Sequence, residues 1–521
     1  MKTIAENAND FAEIRTADKG NCIYVDKTDY FHQLVTDGRR KLFFIARPRR
    51  FGKSLMITTF KYIFEGRREL FKGLKIDKTD YDWKVHPVIH LDFSLCACVT
   101  YAAFMREMPA VVKTAILKSG YAYDASESPA VNFLNAVEWH FAQGKPCVVL
   151  IDEYDDPVAR ALANPAEAEL IRSELAQIYG KIKGKTHMIR FLMITGVSKF
   201  TKMSVFSALS NLTDLTFDSG YAAMLGYTEE ELDEYFGEHM AVHAKIMGLT
   251  DEAYRAELKR WYNGYRFSPD DPVTVYNPVS TGLTFANPST EFRGTWTETG
   301  RPSMLMNFIK REGLLAIDYE NGVTVSKGAF DVSDIRNLPA VGMLYQTGYL
   351  TIKDYEDGDY TLNVPDEEVR RDLMLLVAAE AAEADEGWVG DTVRHLRRFE
   401  FEDFFLGLKS LFAHLPYGSK EGRVHEMSYE RALKILFWSQ GLRVETEDTQ
   451  SVGRADIVVN YRKAIYVFEL KRDESAAAAL AQIREKGYAE PYRADGRPVY
   501  LIGLAFDSNT RQLTDAIAER L

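Results

Sequence analysis

The segment from Lys41 to Gly66 constrains the fold of this chain more than any other part of the sequence. It reads KLFFIARPRRFGKSLMITTFKYIFEG, which is a short apolar strand, a basic loop with Gly52-Lys53-Ser54, and an amphipathic helix. Backbone N–H groups of such a loop and of the helix N-terminus converge on one point and can bind phosphate there. The segment therefore predicts a phosphate-binding loop between a strand and a helix.

Short apolar runs alternate with longer stretches of helical periodicity in the first part of the chain. The runs lie at 41–46, 88–93, 147–151 and 189–195. Strands that alternate with helices form a parallel sheet through right-handed crossovers, with helices on both faces. We therefore predict an α/β domain of the P-loop NTPase type at residues 1–220.

The middle of the chain changes pattern. Residues 221–330 are helical and aromatic, with Thr228 and Glu231 at the spacing of a capping box, and predict a helical lid. Residues 331–390 predict a winged-helix-like region and linker: a helix, the strands GYLTIKD and YTLNVP, and another helix. Its acidic, alanine-rich stretch at 378–387 has little to bury and predicts a solvated helix or linker.

Length and charge limit the classes of function. The 521 residues are enough for about three domains. The sum of 64 Lys and Arg against 76 Asp and Glu is −12, which excludes a general nucleic-acid coat. From residue 431 to the end, however, 14 basic residues face 13 acidic ones, a net +1. Contact with nucleic acid is therefore expected in that part or in a local basic patch.

Cysteine usage and hydropathy indicate a reducing compartment. The cysteines are too few for a disulfide framework and lack the paired CxxC spacing of zinc sites, so we interpret them as reduced core thiols: Cys22, Cys96, Cys98 and Cys147. The N-terminus lacks the apolar region of a signal peptide, and no apolar run reaches the ~20 residues that span a bilayer. We expect a cytoplasmic, soluble protein with no membrane partner.

The basic loop supplies the predicted nucleotide contacts. Lys53 can reach the β and γ phosphates of a nucleotide, and the Ser54 hydroxyl can ligate Mg²⁺. Arg47 stands where the usual loop has its first glycine, and it should add positive charge beside the phosphates. The alternative is a basic loop that caps a helix and binds nothing. The predicted contacts are Arg49, Arg50, Phe51, Gly52, Lys53, Ser54 and Leu55.

A second motif, CVVLIDEYDDP, ends an apolar strand with two acids. Asp152 is predicted to hold Mg²⁺ through water, and Glu153 is predicted to be the catalytic carboxylate that polarises the attacking water. Asp155 and Asp156 have a structural interpretation, in which Asp156 is a helix N-cap and Pro157 the first helical residue.

A third strand ends in ITGVSKF, where a polar side chain could sense the γ-phosphate between the two motifs. Thr195 and Ser198 are the candidates, and we place Ser198 in the nucleotide-binding set. Either hydroxyl could equally bond the backbone at a strand end. Lys199, Lys202 and Arg190 are alternative charge fingers, among which the sequence does not choose.

Five motifs together resemble the bacterial AAA-ATPase-like family: YVDKT at 24–28, RPRRFGKSL at 47–55, LIDEYDDP at 150–157, WYNGYRF at 261–267 and YNPVS at 276–280. The resemblance covers nearly the whole chain and includes the arginine in place of the first glycine. It implies ATP as the bound nucleotide. The aromatic motifs are interpreted as packing of the lid, the alternative being nucleotide contact by Tyr262, Tyr265 or Arg266.

The C-terminal part carries a second candidate site, in GRADIVVNYRKAIYVFELK at 453–471. Asp456 begins one predicted strand, and Glu469 and Lys471 lie two apart on the next, so both point to one face. Two carboxylates and a lysine can hold Mg²⁺ and activate water against a phosphodiester. This D…ExK pattern resembles the PD-(D/E)XK nuclease-like fold and predicts an α/β restriction-endonuclease-like domain at 400–521.

The same resemblance gives Gln482, on the following helix, the role of a polar orienting residue. Glu426 or Glu430 could supply a third acid, the alternative being surface charge on an amphipathic helix. For the D…ExK residues themselves, the alternative is a simple Glu–Lys ion pair at a strand end.

The sequence thus predicts an enzyme with ATP and Mg²⁺ as cofactors and DNA or RNA as a candidate partner of the C-terminal domain. The activity expected is ATP hydrolysis, with a metal-dependent nuclease activity beside it. The rival is a nucleotide-dependent switch or scaffold protein whose C-terminal domain binds a partner without cleavage. The sequence leaves the oligomeric state and the nucleic-acid substrate open.

Overall fold

The computed structural model describes residues 1–5, 9–199, 211–296, 318–330, 339–414, 426–446, 455–510 and 512–521. The chain forms two compact units. The first comprises Met1–Arg293 and Tyr319–Asp366, and the second comprises Gly294–Asp318 and Glu367–Leu521. The narrower domain limits drawn from sequence remain predictions.

A five-stranded parallel sheet forms the centre of the first unit. Its strands lie in the order β2-β3-β4-β1-β5: β1 Leu42–Ala46, β2 Val88–Asp92, β3 Cys147–Asp152, β4 Ile189–Gly196 and β5 Thr213–Asp214. The four apolar runs are confirmed as strands, while β5 is too short for its pattern to be recognised. Because β4 lies between β1 and β3, the end of β4 separates the two phosphate-site motifs.

Helices cover this sheet. They are α1 Phe11–Thr16, α2 Thr28–Thr36, α3 Lys53–Phe64, α4 Tyr101–Ser119, α5 Pro129–Ala142, α6 Asp156–Ala161 and α7 Pro165–Gly180. The interior is aromatic: Phe43, Phe60 and Phe64 all pack on or beside Phe191 of β4, with ring centroids 5.0–5.5 Å from it. This packing holds α3 against the sheet, so that the start of α3 is fixed at the edge where the strands end.

The lid region is helical, as predicted. It contains α8 Glu229–Met247, α9 Asp251–Tyr262 and α10 Pro278–Ala286, with a small antiparallel pair, β6 Asn263–Tyr265 and β7 Val275–Tyr276. The capping box is confirmed, because Thr228 accepts from the Glu231 N–H while the Glu231 side chain accepts from the Thr228 N–H. An aromatic core, including Phe236, Tyr262 and Phe292, joins these helices.

A winged-helix-like arrangement follows. It consists of α11 Ala340–Gln346 and the antiparallel sheet β8-β10-β9, formed by β8 Val323–Ser326, β9 Thr351–Glu356 and β10 Asp359–Asn363. The two predicted strands are confirmed, with a turn at residues 357–358 between them, and β8 is additional. Tyr345 packs on Phe330 with ring centroids 4.8 Å apart, so aromatic side chains contribute to the packing of this region.

The second unit has a mixed five-stranded sheet in the order β11-β12-β13-β14-β15. Only the β13–β14 pair is parallel. Its strands are β11 Arg443–Thr446, β12 Ile457–Tyr461, β13 Ala464–Arg472, β14 Val499–Phe506 and β15 Leu513–Arg520. Its helices are α12 Glu367–Ala381, α13 Glu386–Arg397, α14 Phe401–His414, α15 Glu426–Ser439 and α16 Ala476–Lys486.

The prediction of a solvated stretch at 378–387 is wrong. This stretch contains the end of α12 and the start of α13, and Ala378, Ala379, Ala381 and Ala382 are buried. Small side chains allow close packing between helices, and the acidic residues between them take the outer positions. Across the described ranges, no helix combines the length and apolar character needed to cross a bilayer.

Candidate functional site

The predicted phosphate loop connects β1 to α3. Two of its residues have left-handed backbone conformations, Arg50 with φ +68° and Gly52 with φ +84°. Glycine adopts this conformation without strain, whereas an arginine there is uncommon. The loop therefore places its left-handed turns at Arg50 and Gly52, and Gly52 caps the N-terminus of α3.

Arg47 was expected to lie beside the phosphates, but its side chain points into the protein instead. Its guanidinium is buried, 1% exposed, and donates to the backbone carbonyls of Ala46 and Thr216 over 3.0 and 2.7 Å. The side chain turns into the protein because these strand-end carbonyls can accept its hydrogen bonds there. Arg49, by contrast, is half exposed, with Nη2 3.5 Å from Oδ1 of Asp156.

Lys53 is the first residue of α3, directly after the loop. Its ammonium donates to the carbonyl of Pro48 over 3.0 Å and lies 3.4 Å from Oε1 of Glu153. Glu153 has a left-handed backbone, φ +48°, directly after β3. A non-glycine residue in this region stores strain that is often found at functional sites. The structure thus brings the predicted phosphate-binding cation and the predicted water-polarising acid together.

Asp152, the last residue of β3, is buried and 3% exposed. The Thr195 hydroxyl, near the end of β4, donates to Oδ1 of Asp152 over 2.5 Å. The N–H of Glu153 donates to the same oxygen over 3.1 Å. Thr195 therefore orients the predicted Mg²⁺ carboxylate from between the two motifs.

Ser198 contacts a different acid. Its N–H donates to Oδ2 of Asp155 over 2.7 Å, its hydroxyl bonds the same oxygen, and the Val197 N–H donates to Oδ1. Burial, and then the charge of Glu153, raises the pKa of Asp155 to about 6. In this conformation the Ser198 hydroxyl is taken up by Asp155, so its role as a nucleotide contact stays a prediction.

The structural interpretation of Asp155 and Asp156 agrees with these contacts, but the helix start is displaced by one residue. The helix α6 begins at Asp156, with Asp155 in the N-cap position and Pro157 in the first turn. Asp155 makes no side-chain cap because its carboxylate binds residues 197 and 198 instead. Asp156 pairs with Arg160 one turn later, Oδ2 to Nε over 2.5 Å.

A cavity of about 200 Å³ opens beside the loop. At one end it is lined by Glu153 and by loop residues from Arg50 to Leu55, including Lys53 and Ser54. The other end is largely apolar, with walls from the N-terminal segment and from the lid. These walls are formed by Ile4, Ile23, Val25, Tyr227, Phe236, Val279 and Leu283.

The apolar walls were missed from sequence, although two motifs supply part of them. YVDKT contributes Tyr24 and Val25, and YNPVS contributes Pro278 and Val279; Lys27 of YVDKT also lines the cavity, as a charged residue. Lys27 Nζ donates to Oε2 of Glu231 over 2.7 Å, which joins YVDKT to the first turn of α8. YVDKT and YNPVS belong to the family resemblance but were given no catalytic role, and this could have indicated that they line a pocket.

WYNGYRF packs in the interior, which favours the packing interpretation over nucleotide contact. The Tyr262 hydroxyl donates to the Arg293 carbonyl over 2.8 Å, and the Tyr265 hydroxyl to the Gly348 carbonyl over 3.1 Å. Arg266 donates to the carbonyls of Ser268 and Pro269.

Lys199 and Arg190, two of the candidate cations for the γ-phosphate, contact other groups of the protein. Lys199 Nζ lies 3.1 Å from Oδ2 of Asp214, and Arg190 donates to the Val35 carbonyl over 2.9 Å. Lys202 lies outside the described residues.

The second candidate site lies in the C-terminal sheet. The antiparallel register pairs Ile457 with Phe468, which places Asp456 opposite Glu469. Lys471 Nζ lies 3.1 Å from Oε1 of Glu469, and Gln482 Nε2 donates to the same oxygen over 2.5 Å. The structure thus brings together all four predicted residues of this site.

The backbone explains why Gln482 reaches Glu469. Helix α16 connects the parallel strands β13 and β14 and crosses β14 at Gly503, where a Cβ would lie only 2.3 Å from the Ala476 carbonyl oxygen. A residue with a side chain at position 503 would push the helix away. The missing Cβ therefore allows α16 to lie close enough for Gln482 to reach the carboxylate.

Glu469 carries the clearest sign of a metal site. Its side chain is 3% exposed, and its Oε2 is buried with no hydrogen-bond partner. Burial, and then the charge of Asp456, raises the pKa of Glu469 to about 7. A buried carboxylate oxygen without a partner is costly, and a divalent cation bound with Asp456 would satisfy it. The donor set therefore fits Mg²⁺.

The third acid is not resolved by the structure. Glu430 lies on α15 with Oε1 2.6 Å from Nζ of Lys434, one turn later on the same helix. This pairing agrees with the interpretation as helix-surface charge. The side chain of Glu426 lies outside the described residues.

Two family models match the chain, one in each unit. Residues 7–206 match the family described as predicted AAA-ATPase, and residues 424–516 match the PD-(D/E)XK nuclease superfamily. A protein of Azotobacter chroococcum mcd 1, described as an uncharacterized protein in the vnfD 5′ region, is 34% identical over 534 residues. That alignment covers 98% of this chain and 98% of the relative.

Two archaeal proteins of known structure are similar over part of the chain. The ORC2 protein of Aeropyrum pernix, solved as ADPNP-ADP complexes, is 12% identical with a TM-score of 0.26, covering 65% of this chain and 87% of its own. Cdc6p of Pyrobaculum aerophilum is 10% identical with a TM-score of 0.23, covering 68% and 93%.

The family models fall on the phosphate loop and on the D…ExK residues, and the Azotobacter relative matches nearly from end to end. The fold class is the one predicted, an α/β P-loop domain with a C-terminal α/β nuclease-like domain. The chain therefore belongs to the bacterial family of AAA-ATPase-like proteins that carry a C-terminal PD-(D/E)XK nuclease superfamily domain.

Proposed function

We propose that this protein is an ATP-binding, AAA-like P-loop ATPase whose C-terminal domain is a Mg²⁺-dependent nuclease acting on nucleic acid. The observation that carries the proposal is the convergence of Lys53 and Glu153 at the polar end of the 200 Å³ cavity. A cation for phosphate and an acid for water at one point are what phosphoryl transfer to water needs.

The two ends of the cavity suit the two parts of a nucleotide. The apolar end, with Val25, Tyr227 and Leu283, offers van der Waals contact to a base. The polar end offers the N-terminus of α3 and the Lys53 ammonium to the phosphates. Ser54 and Asp152 would hold Mg²⁺, which neutralises phosphate charge when bound.

Each acid at the end of β3 has a separate task in this proposal. Asp152, oriented by the Thr195 hydroxyl, holds the metal side of the site. Glu153 accepts a hydrogen bond from the attacking water and takes its proton. Lys53 must leave Glu153 to reach the phosphates, so nucleotide binding would release Glu153 for this task.

The nuclease proposal is carried by the unpartnered Oε2 of Glu469 opposite Asp456. These two carboxylates would hold Mg²⁺, which lowers the pKa of bound water and polarises a phosphodiester. Lys471 would position the water, and Gln482 fixes the Glu469 carboxylate.

The alternative is a nucleotide-dependent switch or scaffold whose C-terminal domain binds a partner and cleaves nothing. One observation favours it: the chain from residue 431 onward has a net charge of only +1, which attracts nucleic acid weakly.

One experiment separates the two functions. Purified wild type is incubated with ATP, Mg²⁺ and single- and double-stranded DNA and RNA, and both phosphate release and strand cleavage are measured. We expect Glu469→Ala to abolish cleavage while leaving phosphate release unchanged, and the exposed Glu474→Ala, on the same domain, to abolish neither. Phosphate release with no cleavage of any substrate would favour the switch, and cleavage that survives Glu469→Ala would exclude this site as its source.

A further inference from the structure

The side chain of Arg47 is held from three directions. Besides the carbonyls of Ala46 and Thr216, its guanidinium donates to the Tyr221 carbonyl over 3.4 Å. Its central carbon lies 4.2 Å from the centroid of the Phe267 ring, in a cation–π arrangement. Burial lowers the pKa of this guanidinium to about 10, so the group is still charged at neutral pH.

A second loop residue contacts the same aromatic motif. The Phe51 ring packs edge-on against Tyr265 and Phe267, with centroids 4.7 and 5.2 Å away. Phe51 is 1% exposed. Arg47 at the beginning of the loop and Phe51 immediately before Gly52 are therefore both in contact with WYNGYRF.

The backbone of the loop explains why such an attachment is needed. A phosphate loop must keep its N–H groups aimed at one point, and its left-handed turns here fall at Arg50 and Gly52. Arg50 does not adopt that conformation by intrinsic preference, so surrounding contacts must maintain it. The contacts of Arg47 and Phe51 with Phe267 lie on both sides of Arg50 in the sequence.

We infer that Arg47 is a positioning residue for nucleotide binding: it holds the phosphate loop in its binding shape through Phe267 and the carbonyls of residues 216 and 221, without touching the nucleotide. This inference rests on the proposed ATP site. Glycine, the usual residue at this position, could not perform this task because it has no side chain. Glycine is not required at position 47, because the left-handed turns of this loop lie at Arg50 and Gly52. We also assign WYNGYRF the task of a platform beneath the loop.

The inference has a consequence that a general packing role does not share. The contacts of Arg47 are with Ala46, with residues 216 and 221 and with Phe267, whereas much of the apolar end of the cavity comes from other segments, which supply Ile23, Val25, Phe236 and Leu283. Loss of Arg47 should therefore weaken binding of ATP far more than binding of adenosine. A general loss of folding would weaken the binding of ATP and of adenosine by the same factor.

The test uses the full-length protein and two probes, ATP and adenosine, whose affinities are measured by calorimetry or by displacement of a fluorescent ATP analogue. For Arg47→Met we expect ATP affinity to fall at least tenfold and adenosine affinity to change less than twofold. Arg47→Lys should recover only part of the loss, because an ammonium cannot stack as a planar guanidinium does. Ile63→Val, in the buried part of α3, is the control for a core change and should leave the ratio of the two affinities unchanged.

A second variant keeps the test informative if Arg47→Met folds poorly. Phe267→Leu removes the ring and leaves the guanidinium intact, and it should lower the ratio of ATP to adenosine affinity in the same direction. Equal losses for both ligands, or unchanged ATP affinity in folded Arg47→Met and Phe267→Leu, would overturn the inference while leaving the ATP site intact. If wild type binds no ATP, the proposed function fails first, and the inference fails with it.

Discussion

Nζ of Lys53 lies 3.4 Å from Oε1 of Glu153, so the phosphate-binding cation and the water-polarising acid of the proposed ATP site are paired with each other. Both side chains are largely buried, at 3% and 18% exposure. The ion pair compensates two charges beside the cavity. When nucleotide binds, Lys53 must leave Glu153 to contact the phosphates, and Glu153 becomes free to contact the attacking water. Substitutions at the two residues should therefore have opposite effects on binding.

Lys53→Ala should weaken ATP binding by at least tenfold, because the phosphates lose their cation and Glu153 is left as an unpaired negative charge facing them. Titration calorimetry with ATP and Mg²⁺ measures this directly. Lys61→Ala, on the same helix α3 outside the cavity lining, is the matched control. Equal ATP affinity in wild type and Lys53→Ala would show that the loop is not the nucleotide site.

Glu153→Gln should retain ATP binding, or bind slightly more tightly, and should abolish hydrolysis. The amide keeps the shape of the side chain, releases Lys53 from its ion pair, and cannot take a proton from water. Phosphate release and ATP affinity are measured on the same preparation. Hydrolysis at the wild-type rate would assign the water-polarising role to another residue.

The wing of the winged-helix-like region should not bind DNA. The hairpin between β9 and β10 carries DYEDGDY at 354–360, and its acidic side chains Asp354, Glu356 and Asp357 are exposed, so the hairpin repels phosphate. We expect a photocrosslinker placed at Asp357 to give no adduct with bound DNA, while one placed at the exposed Arg472, directly after Lys471 of the D…ExK residues, gives one. A crosslink at position 357 would contradict this prediction.

Asp456 and Glu469 should bind a divalent metal. The two carboxylates face each other and repel when ionised, so Mg²⁺ or Mn²⁺ should raise the melting temperature of nucleotide-free protein by stabilising the native state. Asp456→Asn removes one charge at nearly constant shape and should reduce the rise. Glu485→Gln, an exposed acid on α16, serves as control. A rise as large in Asp456→Asn as in wild type would mean that the metal binds elsewhere, including at the phosphate loop.

Asp155 should make the stability of the first unit depend on pH. Its folded-state pKa is raised to about 6 from 3.8, so the folded protein binds this proton more tightly than the unfolded chain. The stabilisation is full below pH 4 and is lost as pH rises through 6, and a shift of two units corresponds to about 3 kcal/mol. Asp155→Asn should remove this dependence, as thermal melts of both proteins from pH 4 to 7 would show. If the melting temperature changed with pH by the same amount in wild type and in Asp155→Asn, the prediction would be wrong.

The parts of the site that could be predicted are those whose signal is local. The strand before Gly52-Lys53-Ser54, the strand ending in Asp152-Glu153, and the two-residue spacing of Glu469 and Lys471 each lie within one short segment. Strand periodicity and spacing therefore determine which face such residues share. Gln482 was placed by family resemblance, and its bond to Glu469 depends on the close approach of α16 at Gly503.

What the sequence by itself determined is the identity of the chemical groups and the strands that carry them. Only the tertiary structure decided three further points: Arg47 points away from the phosphate position, Thr195 and Ser198 contact different acids, and residues from the N-terminus and the lid form the apolar end of the cavity. Each depends on which distant segments meet. The physical reason is that strand order and the filling of a cavity follow from packing over the whole unit, which local periodicity does not contain.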